Sequence, residues 1–211
     1  MSVGLSRIIR HKIPSLSTFV KYLNYVDAFL WEKKGRPIPP PAEYNQKTVK
    51  QYAKLFSIMT FIETGTYLGE MVEATKKTFD RIYSIELDSN LYETAKQRFS
   101  KSESITIIEG DSGRVLPELL KSIKSPCLFW LDAHYCSGAS TAGGELITPI
   151  MKELECILNH SIKNHVILID DANLFVGKND FPTIEELERF VFNINPNLVI
   201  RIENNIIRVH P

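Results

Sequence analysis

The sequence predicts an α/β fold with a doubly wound, mostly parallel sheet that ends in an antiparallel C-terminal hairpin. Five apolar runs of strand length alternate with stretches of helical periodicity, a pattern typical of parallel strands that are buried on both faces. Two further β-rich runs flank Glu203-Asn204-Asn205 near the end of the chain, as in a hairpin. A Rossmann-like sheet of seven strands is therefore expected.

The expected elements follow the chain in a regular order. The parallel strands are predicted at residues 59–64, 81–86, 105–109, 127–132 and 166–170, and the hairpin strands at 198–202 and 206–209. Helices are predicted near residues 69–79, 90–100, 113–123, 145–159 and 183–193. Glu185 and Glu186 lie in the first turn of the last helix, where carboxylates suit the helix dipole.

The composition is that of an ordinary globular protein. Of 211 residues, 44% are hydrophobic and 24% are charged, which excludes a disordered, collagen-like or coiled-coil chain. The net charge is zero, although residues 1–36 carry +5 and the rest carries −5. No global field attracts the chain to nucleic acid or to an anionic membrane, so neither partner is predicted.

The cysteines and the apolar runs predict a cytoplasmic location. Cys127, Cys136 and Cys156 are odd in number, and their spacing fits neither a disulfide framework nor a zinc site. No apolar run is long enough to span a membrane, and Arg10-His11-Lys12 interrupts the N-terminal apolar stretch.

Residues 35–41 hold four prolines and predict a stiff extended linker. They divide the chain into an N-terminal helical appendage with its linker, residues 1–41, and a main domain, residues 42–211. Apolar residues recur at helical spacing in the appendage, at Phe19, Tyr22, Leu23, Val26, Phe29 and Leu30. This helix is expected to pack over the main domain or across a homodimer, with a membrane surface as the alternative.

Polar residues collect where the predicted strands end. Glu63, Gly65, Thr66, Tyr67 and Gly69 follow the first strand, and the glycines permit a tight turn, close approach of a ligand and close helix packing. An ordinary βα turn is the alternative. Each of the five parallel strands ends in a carboxylate, which indicates a ligand with hydroxyls, amines or a cation. These acids are Glu63, Glu86, Asp111 beside Ser112, Asp132, and Asp170 with Asp171.

Asp132, Asp170 and Asp171 follow two strands that we expect to be neighbours. Three carboxylates at one place repel each other unless they bind a cation, and oxygen ligands select Mg²⁺ or Mn²⁺. The alternative is that one acid caps a loop and another pairs with a basic residue. Residues 137–144 are small and predict a mobile loop over this site, while Cys136 is expected to be incidental rather than nucleophilic.

Together these residues resemble the class I S-adenosylmethionine (SAM) dependent methyltransferases over nearly all of residues 58–211. The acidic residue and glycines of the first family motif correspond to Glu63, Gly65 and Gly69, with Tyr67 where many members have a glycine. By this resemblance Glu86 holds the ribose of SAM, and Asp111 with Ser112 lies near the adenine.

Within that family, Leu131-Asp132-Ala133-His134-Tyr135 and Ile169-Asp170-Asp171 look like the metal-dependent sugar O-methyltransferases of the macrocin type. The resemblance implies that Asp132, Asp170 and Asp171 bind Mg²⁺ or Mn²⁺. It also implies that His134 is the catalytic base, although relatives often place the base one residue later, where Tyr135 stands.

The function expected from the sequence is therefore SAM-dependent O-methylation of a sugar hydroxyl on a small molecule or glycan, assisted by a divalent metal. A catechol-type O-methyltransferase is the alternative, in which the metal would hold an aromatic diol instead of a sugar. A nicotinamide dehydrogenase is disfavoured because the turn at Gly65 is not GxGxxG. A non-catalytic module of the same fold, which binds a partner through the appendage, is the alternative from another class.

Overall fold

The computed structural model describes residues 30–133 and 147–211. These residues form one seven-stranded sheet. Its strands are β1 (Thr60–Thr64), β2 (Arg81–Glu86), β3 (Ile105–Glu109), β4 (Leu128–Leu131), β5 (Val166–Ile169), β6 (Val199–Glu203) and β7 (Ile206–His210). Every predicted strand is confirmed to within about one residue at each end.

The strand order is β3-β2-β1-β4-β5-β7-β6, and β7 runs in the direction opposite to the other six strands. The doubly wound sheet with its C-terminal hairpin is thus confirmed. The order reverses between β1 and β4, which pair in parallel. In open α/β sheets a ligand binds beyond the carboxyl ends of the strands at such a reversal. The carboxyl ends of β1 and β4 therefore mark the expected site.

Helices cover both faces of the sheet. They are α1 (Ala42–Phe56), α2 (Glu70–Thr75), α3 (Ser89–Phe99), α4 (Ser112–Leu120), α5 (Ile150–Asn159) and α6 (Ile184–Ile194). Buried residues of α1, α2 and α3 pack with Phe61 on one face, whereas those of α4, α5 and α6 pack with Ile62 on the other. Because side chains alternate along a strand, Glu63 shares the face of Phe61 and Thr64 shares the face of Ile62.

Local sequence explains most helix boundaries. Thr183 and Glu186 form a reciprocal capping box at the start of α6, and the Asp88 side chain caps α3. The helix predicted at 69–79 ends at Thr75, because Phe79 turns inward and stacks on Phe61 with ring centroids 5.0 Å apart. These differences move boundaries but leave the order of elements unchanged.

Two helical predictions need a larger correction. α5 begins at Ile150 instead of residue 145, since Pro149 occupies the position before the first helical residue; residues 145 and 146 lie outside the described part. The helix α1 was not predicted at all. Its buried residues Val49 and Ala53 are four apart, which is a helical period that the sequence does contain.

The predicted linker contacts the residues on either side of it. The buried indole of Trp31 donates a hydrogen bond to the Pro37 carbonyl (2.7 Å) and packs on Tyr44 of α1 with centroids 4.9 Å apart. Of the apolar residues proposed for the appendage helix, only Leu30 lies in the described part, so the proposed dimer contact lies outside it. The helices formed by residues 30–133 and 147–211 are too short or too polar to span a bilayer.

Candidate functional site at the carboxyl edge of the sheet

Glu63 is a buried carboxyl near the end of β1, with only 2% of its surface exposed. The Ser84 hydroxyl donates to Glu63 Oε2 over 2.5 Å and lies 2.6 Å from the Thr66 hydroxyl, so a chain of hydroxyls leads to the carboxyl. Burial, reinforced by the charges of Asp132 and Glu86, raises the pKa of Glu63 to about 8 against the effect of the Ser84 bond. Glu63 is therefore largely protonated at neutral pH.

The turn after β1 depends on Gly65, whose φ is +90°. A Cβ at this position would lie 2.6 Å from the Asp132 carbonyl oxygen, so the strand β4 fills the space beside the glycine. The sequence predicted that this glycine permits a tight turn and the close approach of a ligand; the structure shows the turn, with the Asp132 backbone as its close protein neighbour. Gly69, with φ +71°, likewise allows no side chain beside Phe99.

Glu86 joins the second strand to the first turn. Its Oε2 accepts a hydrogen bond from the backbone N–H of Tyr67 (2.7 Å), and its Oε1 accepts one from Asp88 (2.9 Å). Burial raises the pKa of Glu86, while these backbone donors act in the opposite direction. A carboxylate has about four acceptor positions, so further positions remain for the hydroxyls of a ligand.

Asp111 and Ser112 begin α4 at the end of β3. Asp111 Oδ1 accepts from the backbone N–H of Gly113 (2.8 Å), so this acid caps the helix, whatever else it contacts. Ser112 is buried, and its hydroxyl has no hydrogen-bond partner among the described residues. This hydroxyl lies near the carboxyl of the buried Glu153 in α5.

Asp132 follows β4 and lies directly across from the turn. Its backbone N–H donates to the Thr64 carbonyl (3.0 Å), which fixes the ends of β1 and β4 together. Asp132 therefore lies next to Gly65, and its predicted role in the site stays a prediction. The predicted base His134, its alternative Tyr135, Cys136 and the loop 137–144 lie outside the described residues.

The described residues do not fit the predicted metal centre. Within residues 30–133 and 147–211, no three His, Cys, Asp or Glu side chains lie close enough together to hold an ion. Asp170 accepts from the Asn45 amide (3.0 Å) and the Asp171 N–H (2.9 Å). The Asn205 amide donates to Asp171 Oδ1 (3.0 Å). Two of the three carboxylates thus have amide partners and no described third ligand beside them, and we derive no step through a metal.

A chelator test follows from this geometry. If the protein transfers methyl groups, we expect 5 mM EDTA to change the rate by less than about twofold, because two of the three predicted ligands already have amide partners. The measurement is an initial rate before and after dialysis against EDTA. A loss of more than about tenfold that Mg²⁺ restores would show that a metal centre exists after all.

Sequence reasoning missed one acid of this site. Glu153 projects from the first turn of α5, and 1% of its surface is exposed. Burial is the main cause that raises its pKa to about 7, and the charges of Asp111 and Asp132 add to the effect. The signal was available, because Glu153 stands among Ile150, Leu154 and Ile157 on the apolar stripe of its helix.

Comparison of the sequence with known proteins gives one limited relative. No protein-family model matches the chain. A probable ribosomal RNA small subunit methyltransferase A of Methanococcoides burtonii is 31% identical over 100 residues, which is 44% of this chain and 37% of that protein. The chain thus spans little more than a third of the length of this curated relative.

Comparison of the fold gives methyltransferases at low identity. The O-methyltransferase TomG of Streptomyces achromogenes, solved with SAM, has a TM-score of 0.57 at 16% identity and covers 88% of this chain and 87% of its own. An O-methyltransferase of Bacillus cereus, solved with S-adenosylhomocysteine (SAH), has a TM-score of 0.59 at 12% identity and covers 89% and 90%. The chain therefore has the class I methyltransferase fold.

Proposed function

We propose that the protein binds SAM at the carboxyl edge of β1, β2 and β4 and transfers its methyl group to an oxygen of an acceptor. The observation that carries the proposal is the bond of the Glu86 carboxylate to the Tyr67 N–H. It places an acid with remaining acceptor positions beside the first turn, which is where a ribose would bind in this fold. The fold shared with SAM-bound and SAH-bound methyltransferases supports the same cofactor.

Each predicted residue has a part in this proposal. Glu86 accepts from the ribose hydroxyls, Asp111 and Ser112 lie at the adenine, and the turn from Gly65 to Gly69 with Glu63, Thr66 and Tyr67 holds the methionine end. Bound SAM supplies an electrophilic methyl group on a sulfonium. Asp132, next to the turn, orients the acceptor toward that methyl group. Orientation is the main contribution needed, since no covalent intermediate forms.

We propose a sugar hydroxyl as the acceptor, with an aromatic diol as the alternative. The support is the polar end of β5, where Asn45 and Asp170 form a hydrogen-bonded pair that suits a hydroxylated ligand. A sugar hydroxyl has a high pKa, so its attack needs a base, and His134 remains the proposed one. Mg²⁺ is left out of the mechanism because the described donors do not fit it.

Methylation of RNA is the second candidate. It is favoured by the 31% identity to the archaeal ribosomal RNA methyltransferase, and the prediction that excluded nucleic acid has no support from that relative. Methyl-labelled SAM offered in parallel with ribosomal RNA, with a glycan and sugar mixture and with a catechol separates the candidates. Label in the sugar fraction alone supports the proposal, whereas label in RNA alone replaces it.

Cofactor binding is tested most sharply at Glu86. In Glu86→Gln the amide presents a donor where the carboxylate accepts, so we expect SAM to bind about 10–100-fold more weakly. Glu109→Gln is the matched control, since Glu109 is the register partner of Glu86 on the neighbouring strand and is exposed. Titration calorimetry with SAM and with NAD gives the measurement. Equal affinity of both variants for SAM contradicts the assigned role.

A further inference from the structure

We propose that Glu153 is a buried negative charge behind the cofactor site that makes the protein prefer cationic SAM over SAH, whose sulfur is uncharged. This inference rests on the proposed function. SAM and SAH have nearly the same shape and differ by the methyl group and one positive charge. A charge held in the protein can distinguish them where contacts of shape cannot.

Three buried polar side chains from three elements meet at this place. Thr64 ends β1, Ser112 begins α4 and Glu153 lies in α5, with exposed fractions of 0%, 5% and 1%. Thr64 Oγ1, Ser112 Oγ and Glu153 Oε1 have no hydrogen-bond partner among the described residues. Because both hydroxyls lie beside the Glu153 carboxyl, the three groups form one buried polar cluster behind the end of β1.

The electrostatic surroundings of Glu153 connect it to the cofactor edge. The hydroxyls of Ser112 and Thr64 lie near its carboxyl and lower its pKa, although neither contact has hydrogen-bond geometry. The charges of Asp111 and Asp132, both assigned to the cofactor site, raise it. The interactions of a buried charge are weakly screened, so a Glu153 charge that acts on both acids also acts on a ligand bound at this edge of the sheet.

The position of Thr64 shows where Glu153 lies relative to the proposed cofactor site. Thr64 directly precedes Gly65, and its carbonyl accepts from Asp132, so Glu153 lies behind the point where β1 and β4 end together. Glu63 occupies the opposite face of the sheet at the same strand end. The two carboxyls thus bracket the end of β1 from both faces.

A buried carboxylate in this position, with only two hydroxyls beside it, favours a cation. Glu153 forms no ion pair within the described residues. A buried charge without a partner is unfavourable, and the sulfonium of SAM relieves that cost, whereas SAH does not. Methyl transfer removes the positive charge from the ligand. The attraction therefore ends when the product forms, which favours release of SAH.

The test is the ratio of the Kd of SAH to the Kd of SAM, measured by calorimetry at pH 8.5. We expect Glu153→Gln to raise the Kd of SAM about 3–10-fold, while the Kd of SAH changes by less than about twofold. Glu155→Gln, an exposed change on the same helix, should leave the ratio unaltered. Glu153→Asp keeps the charge and should keep most of the preference.

Two results would overturn the inference. An unaltered ratio in folded Glu153→Gln would show that the charge does not distinguish the ligands. An equal loss for both ligands would show a purely structural role. If the unsubstituted protein binds neither SAM nor SAH, the proposed function itself fails, which is a different outcome from binding both without a preference that depends on Glu153.

Discussion

Replacement of Gly65 by alanine is expected to destabilise the protein by about 2–4 kcal/mol and to abolish cofactor binding. The residue has a φ of +90°, where a side chain is strained, and its Cβ would lie 2.6 Å from the Asp132 carbonyl oxygen. The atoms that this Cβ would meet belong to the Asp132 backbone, so no flexible side chain can move away to relieve the contact. Relief of the contact would separate the ends of β1 and β4, between which the cofactor site is proposed.

Gly35→Ala is the matched control for this substitution. Gly35 also has a positive φ, +79°, but nothing lies within 4 Å of its added Cβ. The free energy of unfolding of Gly35→Ala should therefore fall by only about 1 kcal/mol, which is the cost of the backbone conformation. Urea unfolding compares the two variants, and calorimetry with SAM compares their binding. Equal destabilisation of both would show that the contact with Asp132 is unimportant.

Alkaline pH is expected to destabilise the protein through its buried carboxyls. The folded pKa of Glu63 is raised to about 8 from an ordinary value of 4.5. The stability associated with the protonated form is complete below about pH 4.5 and is lost as the pH rises through 8. Glutamine keeps the shape and cannot ionise. The free energy of unfolding of Glu63→Gln should therefore gain about 4 kcal/mol over that of the unsubstituted protein between pH 5 and pH 9.

Urea unfolding at pH 5, 7 and 9 measures this gain. Glu155→Gln, which removes an exposed carboxyl, should follow the unsubstituted protein at all three values. The Ser84 hydroxyl can still donate to the amide oxygen of the new glutamine, so the hydrogen-bond chain survives the change. If the stability difference between Glu63→Gln and the unsubstituted protein is the same at pH 5 and pH 9, ionisation of Glu63 is not its cause.

The fold could be predicted from the sequence because its strands carry a strong local signal. β4 and β5 are fully apolar runs, as two-sided burial requires, and α6 begins at its capping box. The acids at the strand ends could also be found, since a parallel sheet brings the carboxyl ends of its strands to one edge. The helix α1 and Glu153 were missed although their periodic signals are present.

The partners of those acids could not be predicted. Asp170 contacts Asn45, which is 125 residues away, and Asp171 contacts Asn205 in the turn of the C-terminal hairpin. Asp171 also has a φ of +54°. Long-range contacts and local backbone geometry decide whether a carboxylate faces an ion or an amide, and a single sequence contains no periodic trace of either. The predicted metal centre depends on such contacts and stays a prediction, whereas the position of Glu86 needed only its place at a strand end.

The central claim, that this edge binds SAM, is tested most directly by thermal unfolding with saturating SAM, SAH or NAD. A ligand at 100 times its Kd stabilises a protein by about 2.7 kcal/mol, which for a chain of this size raises the Tm by about 5–10 °C. We predict a rise with SAM and SAH and none with NAD. A rise with NAD alone, or none with any of the three, would contradict the account.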